Sequence, residues 1–109
     1  MKCPTEIKQL LKVLYNLSSS ETEVLYYLCD HEARASDIAD ELGKDRSTVQ
    51  RYLSKLQSTG LVEREGVVEE GKRGRYYMYS VPDKDVLKEG VEQRMDEWSD
   101  EKLAVLEEI

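Results

Sequence analysis

The sequence predicts an α+β fold that is mostly α, and three stretches carry that expectation. Residues 35–62, ASDIADELGKDRSTVQRYLSKLQSTGLV, read as two short amphipathic helices with a tight break between them. Leu61 to Val81 places strand formers on either side of a charged, Gly-punctuated tip, the pattern of a hairpin. After Pro82 a long, charged, helix-favouring segment runs to Ile109. Helix, Gly-containing turn, helix and hairpin, in that order, make a winged helix-turn-helix. The wing sheet is expected to have two or three strands, and the long C-terminal helix is expected to serve dimerisation. The expected division is residues 1–82 for the winged helix, with an N-terminal helix over 5–17, and 83–109 for the dimerisation helix.

Pro4 suits the first turn of a helix. Ile7, Leu10, Leu11, Leu14 and Leu17 then repeat at helical spacing, and Ser18-Ser19-Ser20 breaks the pattern. Ser20-Glu21-Thr22-Glu23 has the S-x-x-E form of a capping box. It opens a second helix that buries Val24, Leu25, Leu28 and Cys29 and ends near His31. Ala33-Arg34-Ala35 is the candidate third strand. Ser36 is placed to cap the next helix, whose Ile38, Ala39 and Leu42 share one face. Gly43 supplies the left-handed residue that ends that helix. Asp45 is expected to accept from the free N–H groups at the start of the following one. This helix buries Val49, Leu53 and Leu56 at i, i+4 and i+7, and Gly60 stops it. Leu61–Arg64 begins the first strand and Val67-Val68 continues it. Tyr76–Val81 forms the second strand, and Pro82 ends it. Tyr77 is expected to face opposite to Tyr76 and Tyr79, with core packing as the main role of these rings. In the last segment Leu87, Val91, Met95, Trp98, Lys102, Val105 and Ile109 trace one stripe, which Leu103 and Leu106 widen. A helix over this whole segment would span roughly 40 Å, more than a small winged helix covers. Ser99-Asp100 could interrupt it by capping a fresh turn.

The outer face of the helix after Gly43 carries Arg46, Ser47, Gln50, Arg51, Ser54 and Lys55, with Lys44 in the turn before it. Long cations and small hydrogen-bonders are the side chains that reach phosphates and base edges in a major groove. Gln50 could read adenine bidentately, and Arg46 or Arg51 guanine. Ser47 and Thr48 stand at the helix start, where N–H groups and hydroxyls hold a phosphate. Lys72, Arg73 and Arg75 lie at the wing tip, beside an expected phosphate backbone. The bland alternatives are a solvated helix face and a soluble turn. Val91, Met95 and Trp98 form either an intrachain contact or a dimer seam. The seam is preferred because the helix outruns its own domain. The full seam set is Leu10, Leu14, Leu17, Leu87, Val91, Met95, Trp98, Val105 and Ile109.

The run DIADELG, then RSTVQRYLSKLQSTGLVER, then a GKRGRYYMY wing, resembles archaeal winged-helix regulators of the TrmB type and their MarR-like relatives. The resemblance covers roughly Leu17 to Pro82 and implies a dimeric DNA-binding repressor or activator. Full-length proteins of the TrmB type carry a large C-terminal sugar-binding domain. This chain ends at Ile109, so sugar sensing is not expected of these 109 residues.

At that length a single domain with a small core is expected, with help from oligomerisation. No apolar run is long enough to cross a membrane. MKCPTEIKQLL has no apolar h-region, so a cytoplasmic protein is expected. Cys3 and Cys29 are the only cysteines, and two such thiols in a cytoplasmic chain are usually free. With a single His31 and no close Cys/His spacing, no metal is expected. No cofactor is expected either, and no carboxylate joins a His, Ser or Cys in a catalytic constellation. Net charge is −7, which looks wrong for a DNA binder. Its distribution answers part of the objection: residues 1–43 carry −4, residues 44–82 carry +3, and residues 83–109 carry −6. Local field decides contact within a Debye length of roughly 8–10 Å. The expected partners are double-stranded DNA and a second copy of the chain, with no membrane and no effector assigned. The rival from another class is a winged helix used as a protein-interaction module in a larger assembly.

Overall fold

Helix boundaries in this chain follow from how the end groups of each backbone segment find partners. The structure is a computed structural model and describes residues 4–68, 71 and 74–109. Helix α1 spans Thr5–Leu14. It stops short of the expected Leu17 because Asn16 takes the left-handed conformation at φ 52. The Leu17 N–H then donates back to the Lys12 carbonyl at 2.9 Å and the Asn16 N–H to that of Val13 at 3.3 Å. That is a Schellman closure, and it turns Leu17 into the core.

Helix α2 is Ser19–Asp30. Its capping box uses Ser18 and Glu21, not Ser20 and Glu23. The Ser18 N–H donates to Glu21 Oε1 at 2.7 Å, and the Glu21 N–H donates to Ser18 Oγ at 3.1 Å. Three successive serines offer both registers. The one adopted also brings the Glu21 carboxylate to Lys55 Nζ, 3.0 Å away on a later helix. Helix α3, Ala35–Leu42, starts too early for Ser36 to cap it. Its entry is held instead by the Arg34 N–H, which donates to Asp37 Oδ2 at 3.2 Å. Gly43, at φ 64, ends α3 as expected. Helix α4, Arg46–Ser58, follows from Asp45, whose side chain makes no capping hydrogen bond although its backbone has the cap conformation.

Strands β1 (Glu63–Val67) and β2 (Tyr76–Ser80) pair antiparallel, with Glu63 opposite Ser80 and Val67 opposite Tyr76. The expected third strand is reduced to a single bridge, in which Ala33 and Tyr79 exchange N–H···O bonds of 3.0 and 2.8 Å. Residues two apart on a pleated strand point the same way, so Tyr77 and Tyr79 share a face and Tyr76 lies on the other. This reverses the expected placement of Tyr77. Helix α5, Lys84–Leu106, runs 23 residues without interruption at Ser99. Asp83 Oδ1 caps it by accepting from the Asp85 and Val86 N–H groups.

The core gathers α2, α3, α4 and the sheet. Val24, Ile38, Val49, Leu53 and Leu56 are each 0 % exposed. Leu11, Leu17, Leu61, Val62 and Tyr79 close around them. This is the expected winged helix-turn-helix. The body measures 62 × 28 × 24 Å. Helix α5 packs on α1, and none of its residues is fully buried. Arg94 ties it to α1 by donating from Nε to the Leu14 carbonyl at 3.0 Å. Cys29 is buried and disulfide-bonded, not the free thiol expected. Cys3 lies outside the described residues. Among the described residues no helix is long and apolar enough to cross a membrane.

Glu21 is the one buried carboxylate among the described residues. Burial pushes its carboxyl up. The Ser18 N–H, the Lys55 ammonium and the Ser18 hydroxyl outweigh that and hold it below its ordinary value of 4.5. A depressed folded-state value means that the stabilisation is present above the unfolded-state value and fades as pH falls through the folded-state one. Glu21→Gln keeps the cap acceptor but loses the charge. It is expected to cost about 1–2 kcal/mol in urea unfolding at pH 7, with the gap to the parent closing as pH drops below about 4.

Candidate nucleic-acid interface

Helix α4 divides its residues between two environments. Val49, Leu53 and Leu56 fill the core, while Arg46, Ser47, Arg51 and Ser54 are exposed and Thr48 and Gln50 half-buried. The expected helix face is therefore assembled on one side. Two of its cations are directed elsewhere. Lys55 pairs with Glu21 and also donates to the Asn16 carbonyl at 3.5 Å. Lys44 lies 3.4 Å from Glu23. Both glutamates belong to α2, so these lysines fasten the turn and α4 to that helix. Arg46 and Arg51 form no ion pair among the described residues.

Gln50 is held by the wing. The buried Tyr79 donates its hydroxyl to Gln50 Oε1 at 3.3 Å. A phenol is the better donor of such a pair, which leaves the Gln50 amide N–H groups available outward. The neighbouring strand positions carry guanidiniums stacked on aromatic rings. Arg64 lies 4.0 Å from the Tyr77 ring centroid and Arg75 5.6 Å from the same centroid, with the Arg75 side chain passing over Gly66. Arg34 lies 4.3 Å from the Tyr76 ring. The walls formed by the start of α3, the start of α4 and the two strands enclose an open cleft of about 330 Å³. Lys72 and Arg73 lie outside the described residues.

Arg34 and Arg64 were not among the residues singled out from the sequence. Arg64 could have been found, because it shares a strand face with Gly66 and with the two tyrosines opposite. Arg34 lies in the expected third strand, but its place over Tyr76 depends on the register of the Ala33–Tyr79 bridge, which the local pattern does not fix.

The expected seam residues separate into two groups. Leu14 and Leu17 are spent inside the chain, at 3 % and 5 % exposure, and Leu10 is half-buried. Leu87 and Val91 pack against the core, and Trp98 is half-buried beside Lys102. Met95, Val105 and Ile109 remain exposed, together with Leu103 and Leu106. Among the described residues no group of His, Cys, Asp or Glu is placed to hold a metal ion.

A model of the family described as "Sugar-specific transcriptional regulator TrmB" matches residues 11–84, from α1 through the wing to the first residue of α5. The chain belongs to the TrmB family. It is also similar to the uncharacterized protein MJ1082 of Methanocaldococcus jannaschii, 33 % identical over 93 residues, covering 84 % of this chain and 76 % of that protein. Among solved structures it resembles a possible transcriptional regulator from Methanosarcina mazei, with a TM-score of 0.73 at 22 % identity, over 99 % of this chain and 92 % of that one. It also resembles MepR, a transcription regulator of the Staphylococcus aureus multidrug efflux pump MepA, with a TM-score of 0.56 at 20 % identity, over 94 % and 72 % of the two chains. At those identities the two structures bear on the fold alone. They share the winged helix-turn-helix build with this TrmB-family chain.

Tyr79→Phe removes only the hydroxyl that anchors Gln50. It is expected to leave the fold intact and cost about 0.5–1.5 kcal/mol in chemical unfolding. In NMR relaxation the Gln50 side-chain amide should gain mobility, while the Gln57 amide on the same helix serves as the unchanged reference.

Proposed function

We propose that this chain is a sequence-specific double-stranded DNA-binding transcription regulator that works as a homodimer. In this reading residues 1–82 are the DNA-binding unit and residues 83–109 the dimerisation element. Helix α4 enters the major groove, and the wing lies on flanking backbone. The observation that carries the reading is the sorting of cations on α4. Carboxylates hold the lysines at its margins, whereas Arg46 and Arg51 stand on the exposed face with no ion pair among the described residues. Membership of a transcriptional-regulator family supports the same reading.

The proposed groove contacts are Arg46, Gln50 and Arg51, with Ser47, Thr48 and Ser54 toward phosphates. Arg75 and the wing-tip residues Lys72 and Arg73 are assigned to the backbone. Because Tyr79 engages Gln50 Oε1, the free amide donors favour an acceptor-rich base edge such as that of guanine over the bidentate adenine contact. Lys44 and Lys55 act mainly by holding α4 in place. For the dimer, support comes from the exposed apolar side chains on α5. Val86, Met95, Leu103, Val105 and Leu106 are 44–58 % exposed on a helix that projects beyond the body. A second copy would cover them and place two α4 helices on one duplex, about 34 Å apart.

Selection from random duplexes, followed by fluorescence anisotropy, tests the DNA contacts. Arg51→Ala is expected to weaken the selected duplex by about 1–3 kcal/mol and relax one base preference. Arg75→Ala should weaken all duplexes alike and lower the salt slope by about one. Absence of duplex binding at low salt refutes the DNA reading and returns the protein-interaction alternative.

Sedimentation equilibrium tests the dimer. The intact chain should be dimeric at tens of micromolar, and Met95→Glu should weaken the association by about 2 kcal/mol or more by placing a charge in the seam. A monomeric intact chain excludes the model, and a fully dimeric Met95→Glu chain moves the interface off this face.

A further inference from the structure

The cleft between the wing and the helix-turn-helix has a composition that DNA contact by the helix face does not by itself require. Four arginines from four separate places are among its lining residues: Arg34 before α3, Arg46 at the first turn of α4, Arg64 on β1 and Arg75 before β2. Among the described residues no Asp or Glu lines it, although the chain as a whole carries −7. None of the four forms an ion pair among the described residues. Like charges converging on one concavity repel unless an anion joins them. Three of the four are also held in place before any ligand arrives. Tyr76 braces Arg34, and Tyr77 braces Arg64 and Arg75, at ring-centroid distances of 4.0–5.6 Å. Such bracing lowers the entropy lost when a long side chain is fixed on a ligand. Planar guanidiniums match the paired oxygens of phosphate groups. At about 330 Å³ the cleft has the size of a small-molecule site.

We propose that this cleft binds a compact phosphorylated small molecule, and that its occupant competes with DNA because Arg46 and Gln50 line both sites. The competition rests on the DNA reading given above; the ligand class does not. Arg34 and Arg64 are the distinguishing ligands, since neither lies on α4 or at the wing tip. The phosphate chemistry has two sources, a free phosphate compound or the DNA backbone, and the test separates them.

The probes are inorganic pyrophosphate and phenyl phosphate, added at constant ionic strength set with chloride. The arginine Nε–Hε signals of the full chain are followed by NMR. Saturable movement of Arg34, Arg46, Arg64 and Arg75, with Arg94 on α5 unmoved, is expected. Arg34→Ala and Arg64→Ala should each weaken it by about tenfold or more, and Arg64→Lys by less than Arg64→Ala. No saturable movement, or equal movement of Arg94, overturns the proposal. In the second arm, pyrophosphate should release a labelled duplex from the chain over the same concentration range that fills the cleft. If Arg64→Ala weakens duplex binding while neither probe saturates, the phosphate belongs to the DNA backbone and the small-molecule site is overturned, with the DNA reading intact. If the probes bind and the chain holds no duplex, the DNA reading and the competition fall, and the ligand class stands. If both bind without displacing each other, the competition is overturned.

Discussion

A helix that offers one face to a ligand must be immobilised through the opposite face, and the structure depends on how α4 meets that constraint. Val49, Leu53 and Leu56 are wholly removed from water, each worth about 1.5–3 kcal/mol of burial. They meet side chains from α2, α3 and the sheet. Polar ties then line the borders of this contact: Lys55 to Glu21, Lys44 to Glu23 and Gln50 to Tyr79. The apolar stripe sets the depth of the helix, and the ties set its rotation and its angle to the wing. Side chains that neither the core nor the borders claim are the ones left for recognition.

Charge follows the same division. Acidic residues dominate both ends of the sequence, where α2 uses two of them as partners for lysines and α5 uses Glu97 and Glu101 to hold Arg94. Among the described residues, the arginines in the middle of the chain form no ion pair, and Arg34, Arg64 and Arg75 lie over tyrosine rings. A negative protein thus presents a positive surface over a limited area, which directs anionic partners to that area and discourages loose association elsewhere.

The α3–turn–α4 unit was legible from the sequence because its signals are local: an apolar face at helical spacing, a left-handed glycine and an opposite polar face. The hairpin and the long last helix were legible for similar reasons. What escaped was decided by partners far along the chain. Ser18-Glu21 and Ser20-Glu23 fit the capping pattern equally well, and only contact with Lys55 separates them. The amphipathic stripe of α1 marks Leu14 and Leu17 as residues needing cover. It does not say that this chain supplies that cover itself. Arg34 enters the candidate site through the register of the Ala33–Tyr79 bridge, which the local pattern leaves open, whereas Arg64 was in principle legible from the alternation of β1. That Lys44 and Lys55 of the basic face also pair with glutamates of α2 depends on contacts distant in sequence. The disulfide at Cys29 was hidden because cysteine count alone cannot tell a bond from two thiols.

Among the residues that join the wing to the helices, Tyr79 makes the most bonds. Tyr79 supplies both backbone bonds of the bridge to Ala33, the hydroxyl bond to Gln50 and the buried ring. Farther toward the tip, most side chains of the two strands are only half-buried or exposed. Such a ribbon can open from its far end while its root stays closed, a sub-global event well below the free energy of complete unfolding. The hairpin is held to the helices around its root, where Tyr79 is buried and Tyr77 and Val81 pack beside it. It can follow variation in the shape of whatever lies beneath it without disturbing the helix beside its root.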